Sequence, residues 1–188
     1  MIRIVGISGN LSQPSRTRAL VQEVLERARA GVAVRADTEV TLIDIASFAP
    51  ALGSTVSYDD IPEVVTNAFR QLAAADLIVI GTPVFKASYT GLLKHFFDLV
   101  DPKSLAGKVG VLVATGGSDQ HASVLEYQLR PLASFFGIVT AATAIYARDT
   151  DFVDHRLTNE AIGKRIDHAV TQAIGLLPAA APVARVAA

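Results

Sequence analysis

The chain contains no cysteine and no tryptophan, and it has a single methionine. The absence of cysteine excludes disulfides, thiolate metal sites, iron–sulfur clusters and a cysteine nucleophile. Positive charge is not in excess, because 17 lysines and arginines are balanced by 18 aspartates and glutamates for a net charge of −1. Since no basic run or stripe stands out, we expect no nucleic-acid partner. The apolar runs are too short to span a membrane, so we expect no membrane partner either.

Aromatic residues are also scarce, at 6% of the chain, whereas hydrophobic residues as a whole reach 51%. The core must therefore be built from valine, isoleucine, leucine and alanine, a mixture typical of buried parallel strands covered by helices. The 188 residues are enough for one domain with a full core. We expect that domain over residues 1–177, followed by a flexible tail over residues 178–188.

Signals for export, for metal binding and for the commonest phosphate loops are missing as well. The start MIRIVGISGN is too short and broken for a signal peptide, so we expect a cytoplasmic location. No metal-ligand spacing such as H-E-x-x-H occurs, and we expect no metal site. The patterns G-x-x-x-x-G-K-[ST] and G-x-G-x-x-G are absent. The segment from Gly6 to Asn10 lacks the second glycine of a nucleophile elbow, and His155 and His168 are expected to be ordinary exposed histidines.

Apolar periodicity predicts strands and helices that alternate along the chain. Strands are expected at Ile2–Ser8, Glu39–Ile45, Asp76–Gly81, Lys108–Thr115 and Ile138–Ile145. Helices are expected at about Ser15–Ala30, from Asp60 onwards, and at Ser88–Val100, Gln120–Phe136 and Thr158–Leu177, with a loop at Ala46–Asp59. This order predicts an α/β fold of the flavodoxin-like kind, a doubly wound five-stranded parallel sheet in the order 2-1-3-4-5 between two layers of helices.

In such a sheet, ligands bind beyond the carboxyl ends of the strands where the strand order reverses. The loop after the first strand, SGNLSQPSRTRAL, carries hydroxyls and leads into a helix N-terminus, which attracts anions. Arg16 and Arg18 lie in the first turn of that helix, where cations are unfavourable unless an anion is near. The alternative is that Ser15 merely caps the helix and the arginines point into solvent.

The loops after the third and fourth strands share this edge. In GTPVFKASYTG, Phe85 offers a flat apolar surface beside the cation of Lys86, which suits a flat aromatic ligand with polar edges. The alternative is a plain turn with Phe85 in the core. In ATGGSDQHAS, Gly116 and Gly117 would let backbone amides approach a ligand closely. Asp119 is expected to cap the following helix rather than to join a catalytic triad.

Three motifs in consistent order, SGN-x4-SRTRAL, GTPVFKASYTGLLKHFFDL and ATGGSDQHASVLEYQLRPL, resemble the NAD(P)H-dependent FMN reductase family from about Arg3 to Phe152. They are most similar to the reductase components of two-component alkanesulfonate and methanesulfonate monooxygenase systems. The resemblance implies a flavodoxin-like fold, FMN as cofactor, hydride uptake from NADH or NADPH, and dimers assembled into tetramers. It also implies that reduced FMN passes to an FMNH2-dependent monooxygenase.

The resemblance assigns binding roles residue by residue. The FMN phosphate would be held by Ser8, Asn10, Ser15, Arg16 and Thr17. The isoalloxazine would be bordered by Pro83, Val84, Phe85 and Lys86, and at its other side by Thr115, Gly116 and Gly117. Tyr127 lies where the sulfonate-associated branch can carry a π-type bulge at a subunit interface, and it is a possible catalytic residue. Its alternative role is that of an ordinary interface aromatic. No other catalytic side chain is assigned.

The second motif departs from the wider family, which often reads P-E-Y-N where this chain has Pro83-Val84-Phe85-Lys86. This difference argues against a broader quinone or azo-dye reductase. A non-catalytic flavodoxin-like electron carrier is a second alternative, although such carriers are usually strongly acidic. The sequence does not choose between NADH and NADPH. The helix over Ser88–Val100 has so many apolar residues that we expect part of it to lie in a subunit interface.

Overall fold

A computed structural model describes residues 1–34 and 36–178. The predicted tail therefore lies outside the described residues from position 179 onwards. The strands are β1 (Ile2–Ser8), β2 (Thr38–Asp44), β3 (Leu77–Pro83), β4 (Val109–Gly116), β5 (Val139–Thr140), β6 (Ile145–Arg148), β7 (Phe152–Val153) and β8 (Arg156–Leu157). The α-helices are α1 (Arg16–Ala33), α2 (Ala49–Ser54), α3 (Glu63–Ala73), α4 (Gly91–Leu99), α5 (Arg130–Phe135) and α6 (Glu160–Leu176).

The main sheet is parallel and runs in the order β2-β1-β3-β4-β5, with β6 also paired to β4. The predicted fold class and strand order are confirmed. Strands β3 and β4 are buried along almost their whole length, which explains why their sequences are continuous apolar runs. The carboxyl ends of β1, β3 and β4 consequently meet at one edge of the sheet.

Two apolar cores cover the two faces of the sheet. One lies under α1 and α6 and is built mainly from valine, isoleucine, leucine and alanine. The other lies under α2, α3, α4 and α5 and holds most of the aromatic side chains, including Phe96 and Phe97, whose ring centroids are 5.7 Å apart in a T-shaped contact. Gly81 in β3 lies so close to α1 that an added Cβ would stand 2.2 Å from a methyl of Val21.

The last predicted strand, Ile138–Ile145, is in fact interrupted. Strand β5 ends at Thr140 and β6 begins only at Ile145, and each pairs with its own part of β4. In the gap the Ala141 amide still donates to the Gly110 carbonyl of β4. The carbonyls there are bound by side chains instead: Arg130 donates to those of Ala141 and Ala142, and Arg165 donates to that of Ala144. Apolar periodicity did not reveal this break because alanines fill the gap.

Two further predictions of local structure were wrong. The expected loop Ala46–Asp59 contains a 3₁₀ turn at Ile45–Ser47 and then α2, where a proline stands at the start of the helix. The expected helix Gln120–Phe136 is a 3₁₀ turn, a π-helix at Leu125–Leu129, and α5. Pro131, which has no N–H to donate to the preceding turn, is the second residue of α5, one residue after Arg130, which caps the π-helix.

The prediction that α4 carries surplus apolar surface was also wrong. Leu93, Phe96, Phe97 and Val100 are buried within the chain, and Leu92 is partly buried against the same core. No helix in the described part of the chain is long and apolar enough to cross a membrane.

Candidate functional site

The loop after β1 is held in place by its own polar groups. The hydroxyl of Ser8 donates to Asn10 Oδ1 at 2.5 Å, and Asn10 Nδ2 donates to the carbonyl of Ser12 at 3.0 Å. The Gly9 amide donates to the Gly81 carbonyl at 2.8 Å, which ties the loop to β3. Ser8 and Asn10 are both buried. The loop is therefore preformed, and the Ser8 hydroxyl supports it from within.

The N-terminus of α1 offers donors for an anion. Ser15 caps the helix by accepting from the Arg18 amide at 3.2 Å. The amides of Arg16 and Thr17 donate to no acceptor among the described residues. No acidic residue lies in the first turn. Two free amides, the helix dipole and a guanidinium at one point favour a phosphate or carboxylate.

The arginines of this turn are paired, so they do not simply point into solvent. Arg16 lies 3.4 Å from Asp149, and Arg18 lies 3.3 Å from Asp44. The Arg16–Asp149 pair is about half exposed on both sides, and such pairs contribute roughly 0–1 kcal/mol. A phosphate can therefore displace Asp149 from Arg16 at small cost, because charge-assisted bonds to a dianion are stronger.

Two threonine networks hold the three loops together. Thr17 and Thr115 share a hydrogen bond of 2.6 Å, which connects α1 to the end of β4. Thr90 donates to the Gly9 carbonyl at 2.7 Å, and its amide donates to the Thr82 hydroxyl at 3.2 Å. The loops after β1, β3 and β4 are thereby fixed relative to one another before any ligand binds.

The loop after β3 makes a tight turn in which Phe85 and Ser88 form a two-bond bridge. The turn residues Lys86 and Ala87 have φ of 51° and 64°, in the left-handed region. Phe85 is 50% exposed, so the alternative that placed it in the core was wrong. Lys86 is exposed on the outside of the turn.

At the end of β4 the two glycines play different parts. A Cβ on Gly116 would stand 2.7 Å from the Tyr146 hydroxyl and 2.8 Å from His121 Nδ1. A Cβ on Gly117 would meet nothing closer than Asp149 Oδ2 at 3.6 Å. A side chain at Gly116 would therefore collide with its neighbours unless they move, whereas one at Gly117 would not. Burial raises the pKa of Tyr146, whose hydroxyl donates to the Ser118 carbonyl at 2.6 Å.

The three loops enclose a cleft with a volume of about 340 Å³. Its lining includes ten of the twelve residues that the resemblance assigned to flavin binding, namely Asn10, Ser15, Arg16, Thr17, Pro83, Val84, Phe85, Thr115, Gly116 and Gly117. Ser8 and Lys86 are not among the lining residues. Five lining residues were not predicted: Leu11, Ser12, Pro14, Asp149 and His155.

Asp149 and His155 were missed because the last strand was placed too early. Strand β6 ends at Arg148, so the chain just after it emerges at the same carboxyl edge as the other loops. A strand correctly ended at Arg148 would have pointed to this fourth segment. His155 is thus not an ordinary exposed histidine, whereas His168 is exposed on α6 as expected.

Two other predicted features lie away from the cleft. Tyr127 is 78% exposed and lies in the π-helix Leu125–Leu129, at the place where the resemblance allowed a π-type bulge, but it does not line the cleft. Asp119 does not cap the following turn; Ser118 does so by accepting from the Gln120 amide. Asp119 instead lies 3.3 Å from Arg148. In residues 1–34 and 36–178, no cluster of three acidic or histidine side chains could hold a metal.

The sequence profile described as NADPH-dependent FMN reductase matches residues 2–152. The chain belongs to this family. It is 38% identical over 175 residues to an NADH-dependent FMN reductase, SfnF, of Pseudomonas fluorescens (strain Pf0-1), covering 93% of this chain and 91% of the relative. It is 37% identical over 174 residues to an FMN reductase (NADPH) of Pseudomonas aeruginosa, covering 93% and 91%.

Among solved structures, an oxidoreductase from Corynebacterium diphtheriae superposes with a TM-score of 0.85 at 35% identity, covering 94% of this chain and 97% of that one. As a member of the FMN reductase family, the protein is an oxidoreductase that uses FMN and a reduced nicotinamide cofactor. The two relatives differ in the nicotinamide that they are named for, NADH in one and NADPH in the other.

Proposed function

We propose that this chain reduces FMN with NADH or NADPH in the cleft formed by the four segments at the carboxyl edge of the sheet. The observation that carries this proposal is the anion site at the start of α1. Two free amides, the Ser15 cap and the Arg16 guanidinium converge there without an opposing acid in the first turn. This donor set fits the terminal phosphate of FMN, and the cleft continues from it between two neighbouring strand ends.

The remaining cleft residues suit the flavin ring. Pro83, Val84 and Phe85 form one wall, and Thr115 leads into the glycine segment that forms another. Since Gly117 has no side chain and a Cβ there would meet only Asp149, at 3.6 Å, a ring edge has room to approach the backbone. When bound, FMN supplies the hydride-accepting ring. The side chains and amides then have to orient the two rings and stabilise the added negative charge, which requires no acid or base among the side chains.

The nicotinamide and flavin specificities are testable together. Initial rates with NADH and NADPH should each be measured against FMN, FAD and riboflavin. We expect NAD(P)H consumption that depends on added flavin. A flavodoxin-like electron carrier, which is the alternative function, would bind FMN without consuming NAD(P)H, and that result would contradict the proposal.

We also propose that FMN behaves as a dissociable substrate and that reduced FMN passes to a partner monooxygenase acting on sulfonates. The three motifs that resemble the reductases of such systems support this role. The cleft supports it too: among its lining residues in the described chain, Phe85 is the only phenyl, phenol or indole ring. The purified protein should be nearly colourless and should show saturation kinetics in FMN. A yellow protein that keeps stoichiometric FMN through dialysis would contradict this.

A homo-oligomer, a dimer or a tetramer, is part of the proposal, as is a location in the cytoplasm, where NADH and NADPH are available. The support for association lies at the far end of α4 from the cleft. Phe135 is 72% exposed beside an apolar cavity of about 590 Å³ that Phe97 and Leu132 also line. A second copy of the chain would bury this surface. Light scattering should report more than a monomer at micromolar concentration.

A further inference from the structure

The chain from β7 to β8 forms a small hairpin beside the phosphate end of the cleft. Phe152 pairs with Leu157 and Val153 pairs with Arg156, so Asp154 and His155 form a two-residue turn. Both turn residues have positive φ, 47° and 62°. A two-residue hairpin of this type normally has asparagine or aspartate followed by glycine, because glycine adopts positive φ without strain. The histidine at the second position is therefore strained, and this strain requires a structural or functional explanation.

Backbone strain in this protein is concentrated around the cleft. Four non-glycine residues of the described chain have positive φ, and they form two turns, Lys86-Ala87 and Asp154-His155. The first turn follows Phe85 and the second contains His155, and both of these residues line the cleft. Residues held in such conformations cluster at ligand sites, where the surrounding structure maintains them.

The hairpin is anchored firmly enough to maintain this strain. The buried carboxylate of Asp151 accepts from the Arg148 amide at 2.7 Å and from Asn159 Nδ2 at 2.7 Å. The amide of Thr158 donates to the Asp151 carbonyl at 2.9 Å. Phe152 is buried in the core under α1 and α6. The tip of the hairpin is therefore fixed from both of its ends.

The tip lies against the phosphate loop. His155 lines the cleft together with Ser15 and Arg16, and it also lines the adjoining hollow that Pro14 and Arg18 border. The histidine is half-buried, whereas Asp154 beside it is exposed. In the described part of the chain the imidazole makes no hydrogen bond to another residue. Its ring nitrogens thus remain available to a ligand at the start of α1.

We propose that His155 is a direct ligand of the FMN phosphate, donating an imidazole N–H to a phosphate oxygen at the start of α1. This inference rests on the proposed function, which places the phosphate at the N-terminus of α1. The phosphate is then held by two elements, by α1 with Arg16 and by the β7–β8 hairpin with His155. The strained turn is maintained because it directs this one side chain into the site.

The test exploits the turn geometry, because removing the side chain relieves the strain. His155→Gly leaves an aspartate–glycine pair, the favoured one, so thermal unfolding without flavin should occur at the same or a higher temperature. The same variant should bind FMN about tenfold more weakly, the loss expected for one hydrogen bond to a charged group. Binding of riboflavin, which has no phosphate, should not change. Flavin fluorescence quenching measures both affinities.

Asp154→Gly is the matched control, since it relieves strain in the same turn and keeps the imidazole. It should leave the affinities for FMN and riboflavin unchanged. His155→Asn, which tolerates positive φ and keeps an N–H donor, should retain part of the preference for FMN. If His155→Gly does not accumulate as folded protein, His155→Asn and Asp154→Gly are compared instead. The ratio of FMN affinity to riboflavin affinity should then be lower in His155→Asn than in Asp154→Gly.

Unchanged FMN affinity in His155→Gly, or equal losses for FMN and riboflavin, would overturn the proposal. Its failure can be separated from failure of the proposed function by Arg16→Ala. If Arg16→Ala lowers the preference for FMN over riboflavin and His155→Gly does not, only the role of His155 is wrong. If neither variant changes that preference, the phosphate does not lie at the start of α1.

Discussion

The two ends of α4 present different surfaces. At its start, Thr90 holds in place the loop after β1, which borders a polar cleft of about 340 Å³. At its end, Phe97, Val100 and Phe135 line an apolar cavity of about 590 Å³. The larger cavity has few groups that could orient a flavin phosphate. The smaller one has free amides, an arginine and hydroxyls at one point. The density of convergent polar groups, and not cavity volume, is the basis on which we propose the smaller cleft as the ligand site.

The largest effect should come from the apolar end. Phe97→Ala removes a buried ring that contacts both Phe96 and Phe136, so it should lower the free energy of unfolding by about 3–5 kcal/mol. FMN affinity of the folded fraction should stay the same. Chemical denaturation and flavin titration measure the two quantities. Phe135→Ala, at the exposed side of the same cavity, serves as the control and should change the stability of the monomer little, since its contribution to the proposed subunit interface is made only in the oligomer. If both variants bind FMN more weakly, the flavin binds at the apolar end of α4 and our assignment of the polar cleft is wrong.

At the polar end, Arg16→Ala or Ser15→Ala should weaken FMN binding by about 10- to 100-fold, corresponding to about 1.5–3 kcal/mol for one charge-assisted hydrogen bond. Riboflavin should be affected far less. Fluorescence titration with both flavins checks this, with Arg70→Ala as the control because Arg70 pairs with Glu63 on another surface. Equal losses for the two flavins would show that the phosphate is not bound by this turn.

Substitutions at Gly116 and Gly117 should separate effects on folding stability from effects on flavin binding. Gly117→Val should weaken both FMN and riboflavin binding by about tenfold, because the new side chain would occupy space beside the ring, while the unfolding temperature stays nearly constant. Gly116→Val should instead lower the unfolding temperature, since its Cβ would collide with Tyr146 and His121. Flavin affinity that is unchanged in Gly117→Val would mean that the ring lies elsewhere.

The smallest effect concerns the π-helix. A hydrogen bond from Arg130 holds the pKa of Glu126 below its usual value, and the carboxylate is half exposed. The pair therefore stabilises the fold above the unfolded-state pKa of glutamate, and this contribution is lost as the pH falls through the lowered folded-state value. Glu126→Gln should cost at most about 1 kcal/mol at neutral pH and nothing at low pH. Thermal unfolding of Glu126→Gln and of the unmodified protein should be compared at neutral and at low pH. A stability difference between the two proteins that is the same at every pH would rule out the ion pair as its cause.

Sequence patterns determined the strand order and most of the cleft. The continuous apolar runs of β1, β3 and β4 locate the strands, and parallel pairing brings their carboxyl ends to one edge whatever the loops contain. Ser15, Arg16 and Gly117 could therefore be assigned to one site from their positions directly after strands or at a helix start. The motifs resembling the family added the identity of the flavin.

Tertiary structure decided what local pattern could not. Whether Ser8 faces the cleft depends on Asn10, which takes its hydrogen bond, and whether α4 has spare apolar surface depends on the aromatic core around it. His155 enters the site only because a break before β6 shifts the end of that strand and a buried Asp151 fixes the hairpin that follows. Periodicity reports which side of an element is buried, but the contacts that aim a loop come from residues far apart in sequence. Local periodicity therefore cannot show which residues from distant parts of the chain contact each other, and only the folded chain brings them together.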